Sequence, residues 1–490
     1  MNASCASSTT PPEQAAHSPP WLGLGVLLVA GFVTIFDLFV VNVAIPAMQA
    51  GLAASFAQIG FIVAGYELAF GVLLITGGRL GDLFGRRRLF VVGMAAFTLA
   101  SALCGLAPSA GFLVAARVLQ GLAAALLFPQ VYASIRVNFA GADSRRAFGL
   151  LGMTLGLAAI AGQVLGGWLV QADLFGLGWR TIFLINLPVG VFAIAAAGCI
   201  PESRAPQRPA LDWPGVALVS VGLALLLVPL IEGPGRGWPL WSFASLALAL
   251  VLLALFYRQQ EQRRVAGELP LVDMRLLAQR RFALGAVLVL LIYSTSSSFF
   301  LCFALLVQTG LGLDPFVAGS IFAPCSVGFI LASLAAPRLV ARWGTRAIGA
   351  GALVYAISLG GLIAQVQQAG AHLLPAQLIP VLIVVGAGQG LIMTPLLNLV
   401  LGFVDESRAG MAAGVISTVQ QVGAALGVAV VGILFSAALA AADGTVAQAE
   451  HYASAFVAGM RYNLIAALLV CLLLLMLART QVRPTPAPLA

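Results

Sequence analysis

Three charged residues stand inside long apolar stretches of this 490-residue chain: Asp37, Glu67 and Arg117. A charge facing lipid at mid-bilayer costs at least about 2.5 kcal/mol, so one retained there is read as functional. Counted at about 1.5 Å per residue from the ends of their stretches at Pro46, Gln58 and Gly111, all three lie roughly 9–14 Å below the same face. Turned toward one cavity, they would form a cluster of two carboxylates and a guanidinium. Desolvation and a second carboxylate oppose ionisation of an acid, while the guanidinium favours it. One carboxyl could then exchange a proton as water access alternates. The competing reading is a static ion pair holding helices together.

Other chemistries find less support. The six cysteines are scattered singly, without metal-ligand spacing, and read as small apolar residues. The three histidines, His17, His372 and His451, lie in the tail and between apolar stretches, and no Ser/His/Asp arrangement emerges. The chain has no lysine, so it has no GxxxxGK[ST] phosphate loop and ATP is not the expected driver. No metal or cofactor is expected.

The elements that must position these residues are membrane helices. The chain is 61% hydrophobic and 9% charged, with a mean hydropathy of +1.03, which excludes a water-soluble fold. Fourteen segments reach the roughly 20 apolar residues that a span needs. They run approximately over 22–46, 58–77, 89–107, 111–135, 148–170, 181–200, 215–231, 241–257, 282–309, 317–336, 347–365, 377–402, 411–436 and 456–477. All 25 basic residues are arginines, a net charge of +8 that reads as topology rather than nucleic-acid binding. With the N-terminus in the cytoplasm, 21 of them fall on the cytoplasmic side; Arg180, Arg236 and Arg461 lie at the outer side and Arg117 within a helix. An even number of spans returns the C-terminus to the cytoplasm too.

The chain also repeats. Arg79-Leu80-x-x-x-Phe84-Gly85-x-Arg87 recurs as Arg338-Leu339-x-x-x-Trp343-Gly344-x-Arg346, and Ser144-Arg145-Arg146-Ala147 is echoed by Glu406-Ser407-Arg408-Ala409. Two homologous six-helix halves, 21–200 and 282–479, are implied, with two inserted helices and a cytoplasmic linker over 201–281. Residues 1–20 are expected to be a disordered cytoplasmic tail and 480–490 a second cytoplasmic tail. No removable signal peptide is expected.

Four motifs resemble the major facilitator superfamily, in particular its fourteen-helix drug:proton antiporters of the EmrB/QacA type. They are Asp37 to Pro46 in the first span; Gly78-Arg79-Leu80-Gly81-Asp82-Leu83-Phe84-Gly85-Arg86-Arg87-Arg88 after the second; Leu113-x-x-x-Arg117-x-x-Gln120-Gly121 in the fourth; and Gly162-Gln163-Val164-Leu165-Gly166-Gly167 in the fifth. The stretch Trp179 to Pro188 is similar as well. The fifth-helix motif departs from the family in having Gln163 where a proline is usual, which puts the associated kink in doubt. Glu67 is outside the family's general pattern and is assigned to substrate recognition as the alternative to proton transfer.

The resemblance implies an all-α fold of two six-helix bundles plus two inserted helices, in a bacterial inner membrane, exporting lipophilic or cationic compounds by alternating access. Asp37, Glu67, Arg117 and Gln120 would serve proton coupling and substrate. Gly78, Arg79, Asp82, Gly85, Arg86 and Arg87 would form a conformational latch, with Asp82 pairing with arginines or with a helix N-terminus of the neighbouring bundle. Gly162, Gln163, Gly166 and Gly167 would serve gating, against the plainer role of close helix packing. The expected partners are a small-molecule substrate, protons and membrane lipid, with a monomer as the simplest assembly. A single-substrate exporter, a symporter, a channel and a membrane enzyme are the alternatives. The hydroxyls of Ser294 to Ser298 and the amides Gln389, Asn398, Gln420 and Gln421 read first as intrahelical or interhelical bonds and second as cavity lining.

Overall fold

The computed structural model describes residues 20–204, 211–268, 270–404, 409–440 and 448–481. Most of both expected tails and the 406–408 part of the second repeat lie outside these. Fourteen helices are long and apolar enough to cross a membrane. They are α1 (Pro20–Leu52), α2 (Phe56–Phe84), α3 (Arg86–Gly105), α4 (Ala110–Asn138), α5 (Gly141–Ala172), α6 (Gly178–Cys199), α7 (Trp213–Glu232), α8 (Leu240–Val265), α9 (Arg280–Gly310), α10 (Pro315–Trp343), α11 (Thr345–Ala369), α12 (Pro375–Leu401), α13 (Ala409–Ala440) and α14 (Gln448–Gln481). Only helices satisfy every backbone group within a single apolar segment, and no strand occurs among the described residues.

The helices outrun their apolar stretches. Thus α1 ends at Leu52 rather than Pro46, which leaves Asp37 fifteen residues from that end, near the middle of the helix. The motif expected as a loop between the second and third spans is almost wholly helical. Gly78 to Phe84 finish α2, Arg86 starts α3, and Gly85 alone departs from helical geometry.

The two bundles repeat one packing scheme. In the first, α2 and α3 pack on α4 and α1 packs on α5; in the second, α10 and α11 pack on α12 and α9 packs on α13. The inserted α7 and α8 pack on each other, and α7 lies against both α2 and α13. The bundles meet along two seams, α2 with α13 and α5 with α10.

Small residues permit the close approach at these seams. A Cβ on Gly71 would strike Gln421, one on Gly167 the backbone of Pro315 and Phe316, and one on Gly319 the Gln163 carbonyl. The Thr418 hydroxyl donates across the first seam to the Gly71 carbonyl at 2.8 Å. Along α5, residues 163, 156 and 149 share one stripe. Gln163 abuts Gly319 and Gly156 abuts Ile330, whereas a Cβ on Gly149 would meet nothing within 4 Å among the described residues. Close approach of α5 to α10 is thus recorded at Gln163 and Gly156 and not at Gly149.

Candidate functional site

Asp37 and Arg117, both essentially inaccessible, face each other inside the first bundle, with Arg117 Nη1 donating to Asp37 Oδ2 at 2.5 Å. The other carboxylate oxygen, Oδ1, accepts from Gln120 Nε2 and Asn186 Nδ2, each at 2.9 Å. Both amides also donate to Ser101 Oγ, at 2.8 and 3.2 Å. Gln120 returns its carbonyl oxygen to Arg117 Nη1 at 2.6 Å, and Arg117 Nε donates to the Ile62 carbonyl at 3.2 Å. The guanidinium lies over the Tyr66 ring, 4.2 Å from its centroid. Helices α1, α3, α4 and α6 therefore converge on one ion pair, with α2 contributing a carbonyl and an aromatic face. A buried pair persists only when its remaining donors and acceptors are also met, as they largely are here.

Sequence reasoning singled out Asp37, Arg117 and Gln120 but missed Ser101 and Asn186. Asn186 is a buried amide in an otherwise apolar run, which is the signal that could have marked it.

Glu67 is not part of this cluster, which corrects the expected group of two carboxylates and a guanidinium. Tyr66 faces Arg117, and the next residue along a helix is turned by about 100°. Glu67 accordingly points to the other bundle, where its Oε1 accepts from Ser297 Oγ at 2.6 Å. Its Oε2 is buried with no hydrogen-bond partner among the described residues.

The remaining hydroxyls of that stretch bond mainly at home. Ser294, Thr295 and Ser298 donate to the carbonyls of Leu291, Ile292 and Ser294 in their own helix. Ser298 also donates to Asn463 Oδ1 at 2.8 Å, Asn463 Nδ2 donates to the Thr295 carbonyl, and Gln389 reaches Thr295 through the Tyr355 hydroxyl. This uncharged network joins α9, α11, α12 and α14.

At the arginine-rich face, Asp82 pairs with Arg86 of its own motif at 2.8 Å rather than with the second bundle. Gly85 has φ +106°, a region L residues rarely adopt, and a Cβ there would press on the Glu202 carboxylate. Glu202, just beyond α6, accepts from the Arg87 backbone N–H at 3.1 Å and lies 3.9 Å from the side chains of both Arg87 and Arg88. It was not foreseen; an acidic residue at a helix N-terminus satisfies an otherwise orphaned N–H. Arg79 donates to the Pro270 carbonyl at 2.5 Å, tying α2 to the linker before α9. A Cβ on Gly78 would make only ordinary contact with Pro129, at 3.8 Å.

Nearby, Asp212, the side-chain cap of α7, joins α7 to the end of α8: it accepts from the Gly215 N–H, Gln259 and Gln260 and pairs with Arg263 at 3.3 Å. Burial works against the ionised carboxyl, but the bonds from Gln260, Gly215 and Gln259 and the Arg263 charge outweigh it and hold Asp212 below the usual carboxylate range.

In the fifth-helix motif, Gly162 and Gly166 let α5 close on α1 at Phe36, Phe39 and Val40, while Gly167 closes on α10. The motif thus packs against both bundles.

Known proteins resemble the chain over most of its length. It is 40% identical to the probable actinorhodin transporter of Streptomyces coelicolor over 431 residues, 86% of this chain and 75% of that one. It is 35% identical to the puromycin resistance protein pur8 of Streptomyces alboniger, over 89% of this chain and 86% of that one. Among solved structures, an inward-facing, occupied bacterial homolog of the human lysosomal transporter Spinster superimposes with a TM-score of 0.65 at 15% identity, covering 95% of this chain and 98% of that one, a likeness of fold alone. Residues 27–428 match the Major Facilitator Superfamily. With its fourteen spanning helices, its two repeated bundles and that match, the chain belongs to the Major Facilitator Superfamily.

Proposed function

We propose that the protein is a proton-coupled exporter of drug-like or antibiotic compounds, working by alternating access between its two bundles. Relatives named for actinorhodin transport and puromycin resistance support the substrate class. The observation that carries the coupling is the Asp37–Arg117 pair, a partnered carboxylate at the middle of α1 that joins four helices of one bundle. Protonating Asp37 would cancel its attraction for Arg117 and oblige Gln120, Asn186 and Ser101 to re-pair. A proton taken up there becomes a change in helix packing.

The arginine-rich face is assigned to the cytoplasm of a bacterial inner membrane, with both termini on that side. Cysteines placed at the exposed Gly235 and Gln279 should be labelled from outside and inside respectively, and labelling of Gln279 by an impermeant reagent on intact cells would overturn the orientation.

Asp37→Asn tests the coupling, since an amide fits the site but cannot exchange a proton. In proteoliposomes with an imposed pH gradient, the variant should fold yet lose uphill accumulation of substrate. Accumulation equal to the parent at matched density would exclude Asp37 as the proton carrier.

A further inference from the structure

The α5–α10 seam contains a pocket lined by side chains of both bundles, among them Val43, Gln163, Phe300, Phe303, Gln308 and Phe322. Three features set it apart. Its wall is aromatic: the Phe300 and Phe322 rings lie 4.5 Å apart, Phe303 and Phe322 5.7 Å, and Phe39 meets Phe300 edge-on at 5.0 Å. Its floor carries one unanswered donor, because Gln163 is 3% exposed and its Nε2 has no hydrogen-bond partner among the described residues. Residues 305–310, which supply Gln308, form a π-helical turn, a geometry enriched at functional sites.

A buried amide without a partner costs roughly 1–3 kcal/mol, so its persistence calls for an occupant. Packing alone does not require it, since a leucine or methionine would fill the same volume among phenylalanines. The amide N–H can donate to a carbonyl or ether oxygen, and the phenylalanine faces offer stacking and edge contacts to a planar ring. No charged side chain lines the pocket, so nothing there selects a cation.

We propose that this pocket is a substrate subsite for a flat aromatic ring system bearing a hydrogen-bond acceptor. The rings stack among Phe300, Phe303 and Phe322, and the acceptor takes the Gln163 amide N–H. The subsite rests on the exporter reading and adds the class of molecule it favours. In this conformation the pocket holds only ≈ 10 Å³ of free space, room for about one water, so it fills when the seam parts. Gln308 Nε2, which donates to the Val43 carbonyl at 2.9 Å, closes the pocket between the bundles. If the open state is scarce, every affinity falls by the same fraction and the ratios between ligands and variants survive.

The test compares equilibrium binding of a hydroxyanthraquinone and of a hydroxyanthracene, which share a ring skeleton but not the carbonyl acceptors, to purified protein in detergent without a gradient. Gln163→Met keeps the length of the side chain and removes the donor. It should weaken the anthraquinone about tenfold and leave the anthracene within about twofold. Phe322→Leu should weaken both. Gln163→Asn, which keeps the amide, serves as a second variant, and monodispersity on gel filtration reports folding for each. Equal losses for both ligands in Gln163→Met, or no loss for either, would overturn the subsite and leave a bound water as the occupant of the amide. Failure of the parent to accumulate any substrate under a pH gradient would instead overturn the exporter reading.

Discussion

Gln120 and Gln389 stand at equivalent places, each opening a Gln-Gly-Leu step in the fourth helix of its bundle, and each connects to the first helix. Gln120 binds Asp37 and Ser101; Gln389 binds the Tyr355 hydroxyl, which passes on to Thr295. Asn186 and Asn463 complete the two networks from the sixth helix of each bundle. The second network therefore has the first one's layout without its charges, and Gly386 stands where the first bundle has Arg117. A hydrogen-bonded core is common to both halves, whereas among the described residues the first network alone contains an ion pair.

That asymmetry separates two glutamines that a residue count would treat alike. Gln120→Met should cut gradient-driven flux at least about tenfold, because it removes partners from both members of the ion pair. Gln389→Met should leave flux within about twofold while lowering thermal stability by about 1–3 kcal/mol, the effect of a lost buried bond. Flux and melting of both variants at matched density decide it; equal flux defects would mean that both networks take part in coupling.

Arg117→Ala leaves the Asp37 carboxylate buried without its counter-charge and should destabilise the protein by about 3–5 kcal/mol. Asp37→Asn combined with Arg117→Gln removes both charges and keeps amide bonding, so the double variant should be more stable than Arg117→Ala. Thermal unfolding of the purified variants measures the coupling. Additive losses would show that the pair is not the centre of the network.

The fourteen spans and the two halves were legible because apolar length and arginine placement report on the bilayer directly. Helix ends were not. Helices continue into the polar headgroup region, so α8 runs to Val265, eight residues past the end of its apolar stretch at Tyr257. Residue counting placed Asp37, Glu67 and Arg117 at comparable heights but could not give their azimuth, and a single step from Tyr66 to Glu67 turns the side chain to the other bundle. Glu202 escaped notice because its role at the start of α3 depends on where the chain returns 115 residues later.

The Asp212 cap gives a pH dependence of definite sign. Its carboxyl is held below the ordinary value of about 3.9 in the folded protein. The stability it contributes is therefore complete above that value and is lost as pH falls through the lower folded one. Asp212→Asn should melt below the parent across roughly pH 5–8, and the gap should narrow as the medium is acidified below about pH 4. A constant gap down to pH 3 would show that the carboxylate charge is not what joins α7 to α8.

Glu67 offers the last discrimination. One of its oxygens is held by Ser297 of the second bundle, and the other is buried and unpartnered. A cationic substrate lying between the bundles could complete that second oxygen, while a neutral one has nothing to offer it. Glu67→Gln keeps the size of the group and its bond to Ser297 but removes the charge, so the loss should fall chiefly on cations. Flux of ethidium in proteoliposomes should drop about tenfold, and flux of a neutral hydroxyanthraquinone should stay within about twofold, both under the same imposed pH gradient. Arg117 alters this little, because its charge is already matched by Asp37. Abolition of both fluxes by Glu67→Gln, with Asp37→Asn retaining them, would move the proton site from α1 to α2 and leave the Asp37–Arg117 pair as a structural tie.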